Sequence, residues 1–168
     1  SHEEGHCGGF FDLTDYPAKV NRGPLATILP QGLVTQGEPV LPEIVEPLVA
    51  EISAERIQTT VQQLSAYPTR HYRSEDGVSA AHWIRDQFTA LAAGRSDVSV
   101  ELVEHRFRQP SVVARIMGTG DNAAEMVIIG GHEDSINQWG GWFGGGEAPG
   151  ADDNASGTSG VIEIARAL

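Results

Sequence analysis

The sequence predicts an α/β fold. Two stretches with apolar residues at helical spacing, residues 53–67 and 79–91, precede three short strand candidates, and a third helical pattern follows at residues 155–168. The chain has 168 residues, of which 40% are hydrophobic and 20% charged. That composition is typical of a globular domain that can bury a core.

The first two helices are each predicted from one apolar face. The first begins at Ser53-Ala54-Glu55, with an acid in its first turn, and ends near Tyr67-Pro68. The second covers residues 79–91 and stops at Ala92-Ala93-Gly94. A polar link over residues 69–77 is expected between them.

The strand candidates are residues 98–107, 111–117 and 126–129. In the first, Val98, Val100 and Leu102 alternate with polar residues, which predicts one buried face. The third is continuously apolar, so we expect a strand that is buried on both faces. His132 lies just beyond its carboxyl end, where open α/β sheets place ligands.

Residues 1–36 show no sustained periodicity, because prolines and glycines interrupt every short apolar run. We interpret them as an amino-terminal extension or the remnant of a prosegment, and residues 37–168 as the folded part. The segment His2-Glu3-Glu4-Gly5-His6 matches the HExxH pattern of zinc proteases, but Gly5 disfavours the helix that this pattern requires. Adventitious metal binding is the preferred interpretation there.

Charge and hydropathy exclude two classes of partner. The chain carries 11 Lys and Arg against 23 Asp and Glu, a net charge of −12, which repels nucleic acid and anionic membranes. Apolar runs fall well short of the roughly 20 residues that a membrane-spanning helix needs. Cys7 is the single cysteine, so no disulfide bond can form within the chain.

One histidine and several acids lie near the ends of two predicted elements. His132 follows the strand candidate at residues 126–129, and Asp152 and Asp153 precede the helix predicted at residues 155–168. Imidazole and carboxylate ligands suit Zn²⁺, Mn²⁺, Co²⁺ or Fe²⁺, and Asp134 is close enough in sequence to orient the ring of His132. The second ligand is Asp152 or Asp153, between which spacing does not choose. The alternative is an ordinary loop histidine with two acids that cap the last helix.

These residues carry a resemblance to a known family. Gly130-Gly131-His132-Glu133-Asp134-Ser135 and the run from Ala148 to Gly157, APGADDNASG, resemble the first two metal motifs of the M28 peptidases, the co-catalytic dizinc aminopeptidases. The segments LSAYPTRHY (64–72) and GVSAAHWI (77–84) are similar to the opening helices of the secreted leucyl aminopeptidase branch.

The resemblance implies a three-layer α-β-α zinc-peptidase fold with a mixed central sheet, of which this chain is the first half. It implies that His132 binds one zinc ion, that Asp153 bridges two, and that Asp134 orients His132. It further implies a secreted enzyme that removes the N-terminal residue of peptides, with apolar residues such as leucine preferred, through a water that bridges the metals. A cis peptide bond is expected at Asp153-Asn154.

Trp139, Trp142 and Phe143 are candidates for the wall of the substrate pocket, and packing over their own glycine-rich loop is the alternative. The Glu-Glu pair, the later Asp and the later His of the family have no counterpart in these 168 residues. We therefore expect the chain alone to be inactive, to associate through exposed core surface and to work with a separate carboxy-terminal half. Two other functions stay open: a non-catalytic binding homologue and a single-zinc glutaminyl cyclase.

Overall fold

A computed structural model of the chain describes residues 41–121, 123–137 and 146–168. The chain forms two compact units, Ser1–Ala50 and Glu51–Leu168. Within the first unit the described residues form helix α1, Pro42–Ala50, which the sequence pattern did not predict. The predicted extension, residues 1–36, lies outside the described residues, as do the HExxH-like segment and Cys7.

Two helices open the second unit. Helix α2 is Ala54–Ser65, and the hydroxyl of Ser53 accepts a hydrogen bond from the Arg56 amide at its start, as the sequence predicts. Helix α3 is Glu75–Leu91, which begins four residues before the predicted start. The reason is the Ser74 hydroxyl, which accepts from the amide of Gly77 at 2.9 Å and caps the helix. The predicted polar link, residues 69–77, therefore overlaps the first three residues of α3.

A β-hairpin follows and packs against α3. Strands β1, Val98–Val103, and β2, Ser111–Ile116, pair antiparallel, with Val98 opposite Ile116 and Val103 opposite Ser111. The alternation predicted for β1 is confirmed, since every second residue from Val98 is partly buried. The prediction that β1 continues to Phe107 was wrong, because residues 104–110 form the connection between the strands.

The prediction of a doubly buried strand at Met126–Ile129 was wrong. These residues form no strand, and the first three side chains are 78%, 85% and 84% exposed. A strand is stable only when a neighbour satisfies its amide and carbonyl groups. No strand in the described part of the chain pairs with residues 126–129.

The last helix is reached through an irregular turn, which is closed by a π-type hydrogen bond from the Ala155 amide to the Gly150 carbonyl five residues earlier. This turn is Ala151–Ser156, and α4 is Gly157–Ala167, so the regular helix starts two residues after the predicted start. Helices α2, α3 and α4 and the turn meet in one core. Its buried members are Leu64, Ala80, Ile84, Phe88, Ala155 and Ile162.

The described residues therefore combine helices with a β-sheet in one core, the α/β class that the sequence predicts. Among the helices in the described ranges, none has both the length and the apolar character that crossing a lipid bilayer requires.

Candidate metal centre

The backbone of His132 lies on the first turn of α4. The Thr158 hydroxyl donates to the carbonyl of His132 at 3.1 Å. Gly131 permits this close approach, because a Cβ atom there would lie 3.2 Å from the carbonyl carbon of Gly157. The segment that carries His132 is thus packed against α4, the helix that follows Asp152 and Asp153.

The ring of His132 lies between two carboxylates. Its Nδ1 atom is 3.1 Å from Oδ1 of Asp134 and 3.1 Å from the Asp134 carbonyl oxygen. Its Nε2 atom is 2.9 Å from Oδ1 of Asp153. Both nitrogens therefore face acceptors, although a neutral imidazole carries only one N–H. A metal ion between Nε2 of His132 and Oδ1 of Asp153 would interact with both groups at once.

The donor set fits part of a metal site. Imidazole nitrogen and carboxylate oxygen are both zinc ligands, and two ligands of a tetrahedral zinc lie about 3.3 Å apart. The observed 2.9 Å between Nε2 and Oδ1 needs to widen by only a few tenths of an ångström to admit the ion. His132 and Asp153 would hold the metal, and Asp134 would fix the ring with Nε2 outward. Within the described ranges, however, no group of three or more potential ligands converges.

The turn before α4 determines which acid reaches His132. Gly150 has a positive φ of 54°, and Asp153 and Asn154 leave the helical region, with φ/ψ of −110°/87° and −138°/41°. The peptide bond between Asp153 and Asn154 is cis, as expected from the resemblance. The backbone conformation of the turn thus brings Asp153 to the imidazole of His132, and the role of Asp153 as a metal ligand stays a prediction.

Glu133 adds a carboxyl group between the two motif residues. Burial, and then the neighbouring charge of Asp134, raises the pKa of Glu133 to about 7. Since such a group is about half protonated near neutral pH, it contributes only part of a negative charge to the site.

Two residues that were given no role in the sequence analysis lie beneath the site. Arg70 is 0% exposed and Ser135 is buried, and both contact the segments that carry His132 and Asp153. The sequence offers one weak signal, an arginine inside the LSAYPTRHY segment; nothing in the pattern predicts its burial. The predicted pocket residues Trp139, Trp142 and Phe143 lie outside the described residues, and their role stays a prediction.

The fold and the site together define an α/β protein in which the side chains of His132 and Asp153 lie side by side as candidate metal ligands. Comparison with known proteins makes this more specific. The sequence model of Peptidase family M28 matches residues 111–168. This match includes the hairpin strand β2, His132 and the whole turn that carries Asp153.

Related sequences cover nearly the whole chain. A probable leucine aminopeptidase of Trichophyton verrucosum is 38% identical over 162 residues, which is 95% of this chain and 42% of the relative. Leucine aminopeptidase 1 of Trichophyton equinum is 34% identical over 163 residues, 95% of this chain and 41% of the relative. The chain thus spans about two fifths of the length of these relatives and corresponds to their amino-terminal part.

Two solved structures are also similar to this chain in fold. LapB from Legionella pneumophila superposes with a TM-score of 0.63 and 38% identity, covering 73% of this chain and 32% of LapB. The LapA aminopeptidase of the same organism superposes with a TM-score of 0.62 and 27% identity, covering 80% of this chain and 36% of LapA. Residues 111–168 thus match Peptidase family M28, and the chain shares part of the α/β fold of the Lap proteins.

Proposed function

We propose that the protein to which this chain belongs is a zinc-dependent aminopeptidase that releases apolar N-terminal residues, leucine among them, from peptides. The relatives named as leucine aminopeptidases support this activity. The observation that carries it is the ring of His132, whose two nitrogens face the carboxylates of Asp134 and Asp153 at 3.1 and 2.9 Å. Nε2 of His132 and Oδ1 of Asp153 would together be available to a zinc ion.

The residues of this chain have distinct parts in the proposal. Two zinc ions, when bound, polarise the scissile carbonyl and lower the pKa of water towards neutrality. His132 and Asp153 supply ligand atoms for them, and Asp153 is 55% exposed at its side chain, so its carboxylate is open to a second ion. Asp134 accepts from Nδ1 and keeps the ring in one orientation.

The remaining ligands and the general base are proposed to come from a carboxy-terminal half, either a separate chain or a continuation of this one. The apolar side chains of residues 126–129 support this proposal, since they are largely exposed here although their composition suits a buried strand. The proposed secreted location rests on the resemblance to the secreted branch, and detection of the protein in the medium of its producing cells tests it.

The test compares Asp153→Asn with Asp152→Asn in the full-length protein. We expect the wild type to hold two zinc ions by elemental analysis and to cleave leucyl-p-nitroanilide but not its N-acetylated form. Asp153→Asn should lose zinc and at least 100-fold in kcat. Asp152→Asn is the matched control, because it removes the same charge one residue away and should retain the metal.

Other results would contradict the proposal in different ways. One zinc per protein with cyclisation of N-terminal glutamine would indicate the glutaminyl cyclase, and no metal would indicate a binding protein. Equal loss of zinc in Asp152→Asn and Asp153→Asn would show that the acidic charge of the turn matters rather than the ligand at His132.

A further inference from the structure

We propose that Arg70 and Ser135 are positioning residues that hold the two metal motifs at a fixed separation; we call this pair the tether. The inference rests on the proposed function, since it concerns the geometry of the same metal centre. The hydrogen bonds of both side chains go to backbone atoms and not to the His132 ring or the Asp153 carboxylate. Both act through the backbone segments that carry these residues.

The guanidinium group of Arg70 joins three segments of the chain. Nε donates to the carbonyl of Glu133 at 2.9 Å, and Nη2 donates to that of Gly150 at 2.9 Å. Nη1 donates to the carbonyl of Leu64 at 2.9 Å and also to that of Pro149. One buried side chain thus binds the residue after His132, the residues that precede the turn of Asp153, and the last turn of α2.

The contact with Gly150 leads directly to Asp153. The Gly150 carbonyl also accepts from the amide of Ala155 at 3.0 Å, the bond that closes the π-helical turn. Gly150 cannot be replaced easily, because φ is positive and a Cβ atom would lie 2.9 Å from Nη2 of Arg70 and 2.5 Å from the Asp153 carbonyl oxygen. The guanidinium therefore fixes the carbonyl from which the turn is built.

Ser135 links the same segments a second time. Its hydroxyl accepts from the Arg70 amide at 2.9 Å and donates to the carbonyl of Ala148 at 2.5 Å. The Thr69 hydroxyl donates to the Ser135 carbonyl at 3.5 Å, and the Ala148 amide donates to the carbonyl of Pro68 at 2.7 Å. These bonds connect the same three segments as the guanidinium: the chain around Arg70, the segment after His132 and the segment before Asp153.

The bonds require an arginine. Burial lowers the pKa of Arg70, whereas the charges of Asp134 and Asp153 raise it, and the group remains a cation. Its direct partners are carbonyls rather than a carboxylate, so its role is to point several N–H groups along fixed directions. A lysine at this position keeps the charge but has no planar fork to reach three segments.

The experiment measures metal binding by the full-length protein in Arg70→Lys and Ser135→Ala. The matched control is Arg85→Lys on α3, whose guanidinium pairs with the neighbouring Asp86 at the surface. Zinc affinity is measured by competition with a chelator, and the visible spectrum of the Co²⁺-substituted protein reports ligand geometry. Circular dichroism confirms that each variant is folded.

We expect Arg70→Lys to weaken zinc binding by about 10- to 100-fold, the range for partners that orient metal ligands. Its Co²⁺ spectrum should shift, and kcat should fall with little change in KM. Ser135→Ala should shift both readouts in the same direction by a smaller factor, and Arg85→Lys should match the wild type.

Wild-type zinc affinity and an unchanged Co²⁺ spectrum in folded Arg70→Lys would overturn the inference. If Arg70→Lys does not fold, Ser135→Ala decides by the same two readouts. These failures are distinct from a failure of the proposed function, because there the wild-type protein itself would lack the two zinc ions and the leucyl activity.

Discussion

At the scale of single residues, Asp134 has the most direct influence on His132. Its carboxylate lies 3.1 Å from Nδ1 and is only 27% exposed, so the interaction is partly shielded from solvent. A carboxylate that accepts a hydrogen bond from Nδ1 fixes the plane of the ring and leaves Nε2 to face Asp153. Metal binding at the proposed centre should therefore depend on Asp134, although Asp134 is not one of the proposed ligands.

We predict that Asp134→Asn in the full-length protein weakens zinc binding by about 10-fold or more. The amide oxygen still accepts from Nδ1, but the negative charge is lost. Zinc affinity by chelator competition is the measurement, with Asp121→Asn as the control, since Asp121 is an exposed acid in the turn after β2. Equal affinities in the two variants would refute the role of Asp134.

At the scale of secondary structure, the side chain of Asn154 connects the turn at residues 151–156 to the start of α4. Its Oδ1 atom accepts from the Gly157 amide at 3.0 Å, at the point where the irregular backbone of the turn becomes regular helix. The hydrophobic periodicity of residues 155–168 was sufficient to predict α4. The turn could not be predicted in this way, because its backbone is set by Gly150, the cap and the tether rather than by apolar spacing.

Two glycines of α4 should respond to alanine with opposite signs. A Cβ atom on Gly157 would lie 2.2 Å from Oδ1 of Asn154, so Gly157→Ala displaces the cap and should cost about 1–3 kcal/mol. Gly160 has nothing within 4 Å of such an atom, and its replacement in the helix should stabilise by about 0.5–1 kcal/mol. Urea unfolding of both variants measures the difference. Equal shifts would contradict the contact with Asn154.

Helices α2 and α4 are joined by a nearly buried carboxylate. Glu163 is 4% exposed at its side chain and accepts from the Ser53 amide at 2.9 Å and from Nε of Arg56 at 2.9 Å. Burial alone raises its pKa, but the bonds from Arg56 and Ser53 and the charges of Arg56 and Arg166 outweigh this, so the pKa lies below its usual value of 4.5. This link connects the start of α2 to the helix that follows the metal motif.

We predict that Glu163→Gln lowers the free energy of unfolding at pH 7 by about 1–3 kcal/mol. The folded pKa is depressed, so the stabilisation is present above pH 4.5 and is lost as the pH falls further, through the folded pKa. The variant should therefore lose less stability than the wild type below pH 4.5. The control is Glu101→Gln, an exposed acid 3.9 Å from Arg115, which should change stability little. Parallel stability curves for wild type and Glu163→Gln below pH 4.5 would contradict this assignment.

At the scale of the molecule, the sequence analysis succeeded for several features that depend on local information, although it missed α1 and the Ser74 cap at the start of α3. The starts of α2 and β1, the burial of alternate residues in β1 and the helical character of residues 157–167 follow from periodicity and capping. It failed at residues 126–129, where an apolar run predicts a buried strand but pairing depends on distant strands. At the site, residue types indicated His132 and its acids, whereas Arg70 could be found only from its buried contacts.

The exposed run at residues 126–129 leads to a prediction about the 168-residue chain. The chain alone should self-associate at micromolar concentration, since three consecutive apolar side chains are about 80% exposed or more. Ile128→Asp should weaken this association, which analytical ultracentrifugation measures. In the full-length protein, where we propose that the carboxy-terminal half covers the run, the same substitution should instead destabilise the fold by several kcal/mol, because it buries an unpaired charge.

Weaker self-association of the chain together with lower stability of the full-length protein would show that residues 126–129 are covered in the complete protein rather than exposed to solvent. Ser99→Asp, at an exposed position of β1, places the same charge elsewhere on the sheet and should have little effect in either context. A monomeric wild-type chain that unfolds cooperatively would contradict the prediction for the chain. Unchanged stability of full-length Ile128→Asp would contradict the proposal that the carboxy-terminal half covers residues 126–129. Another partner would then have to cover these apolar side chains.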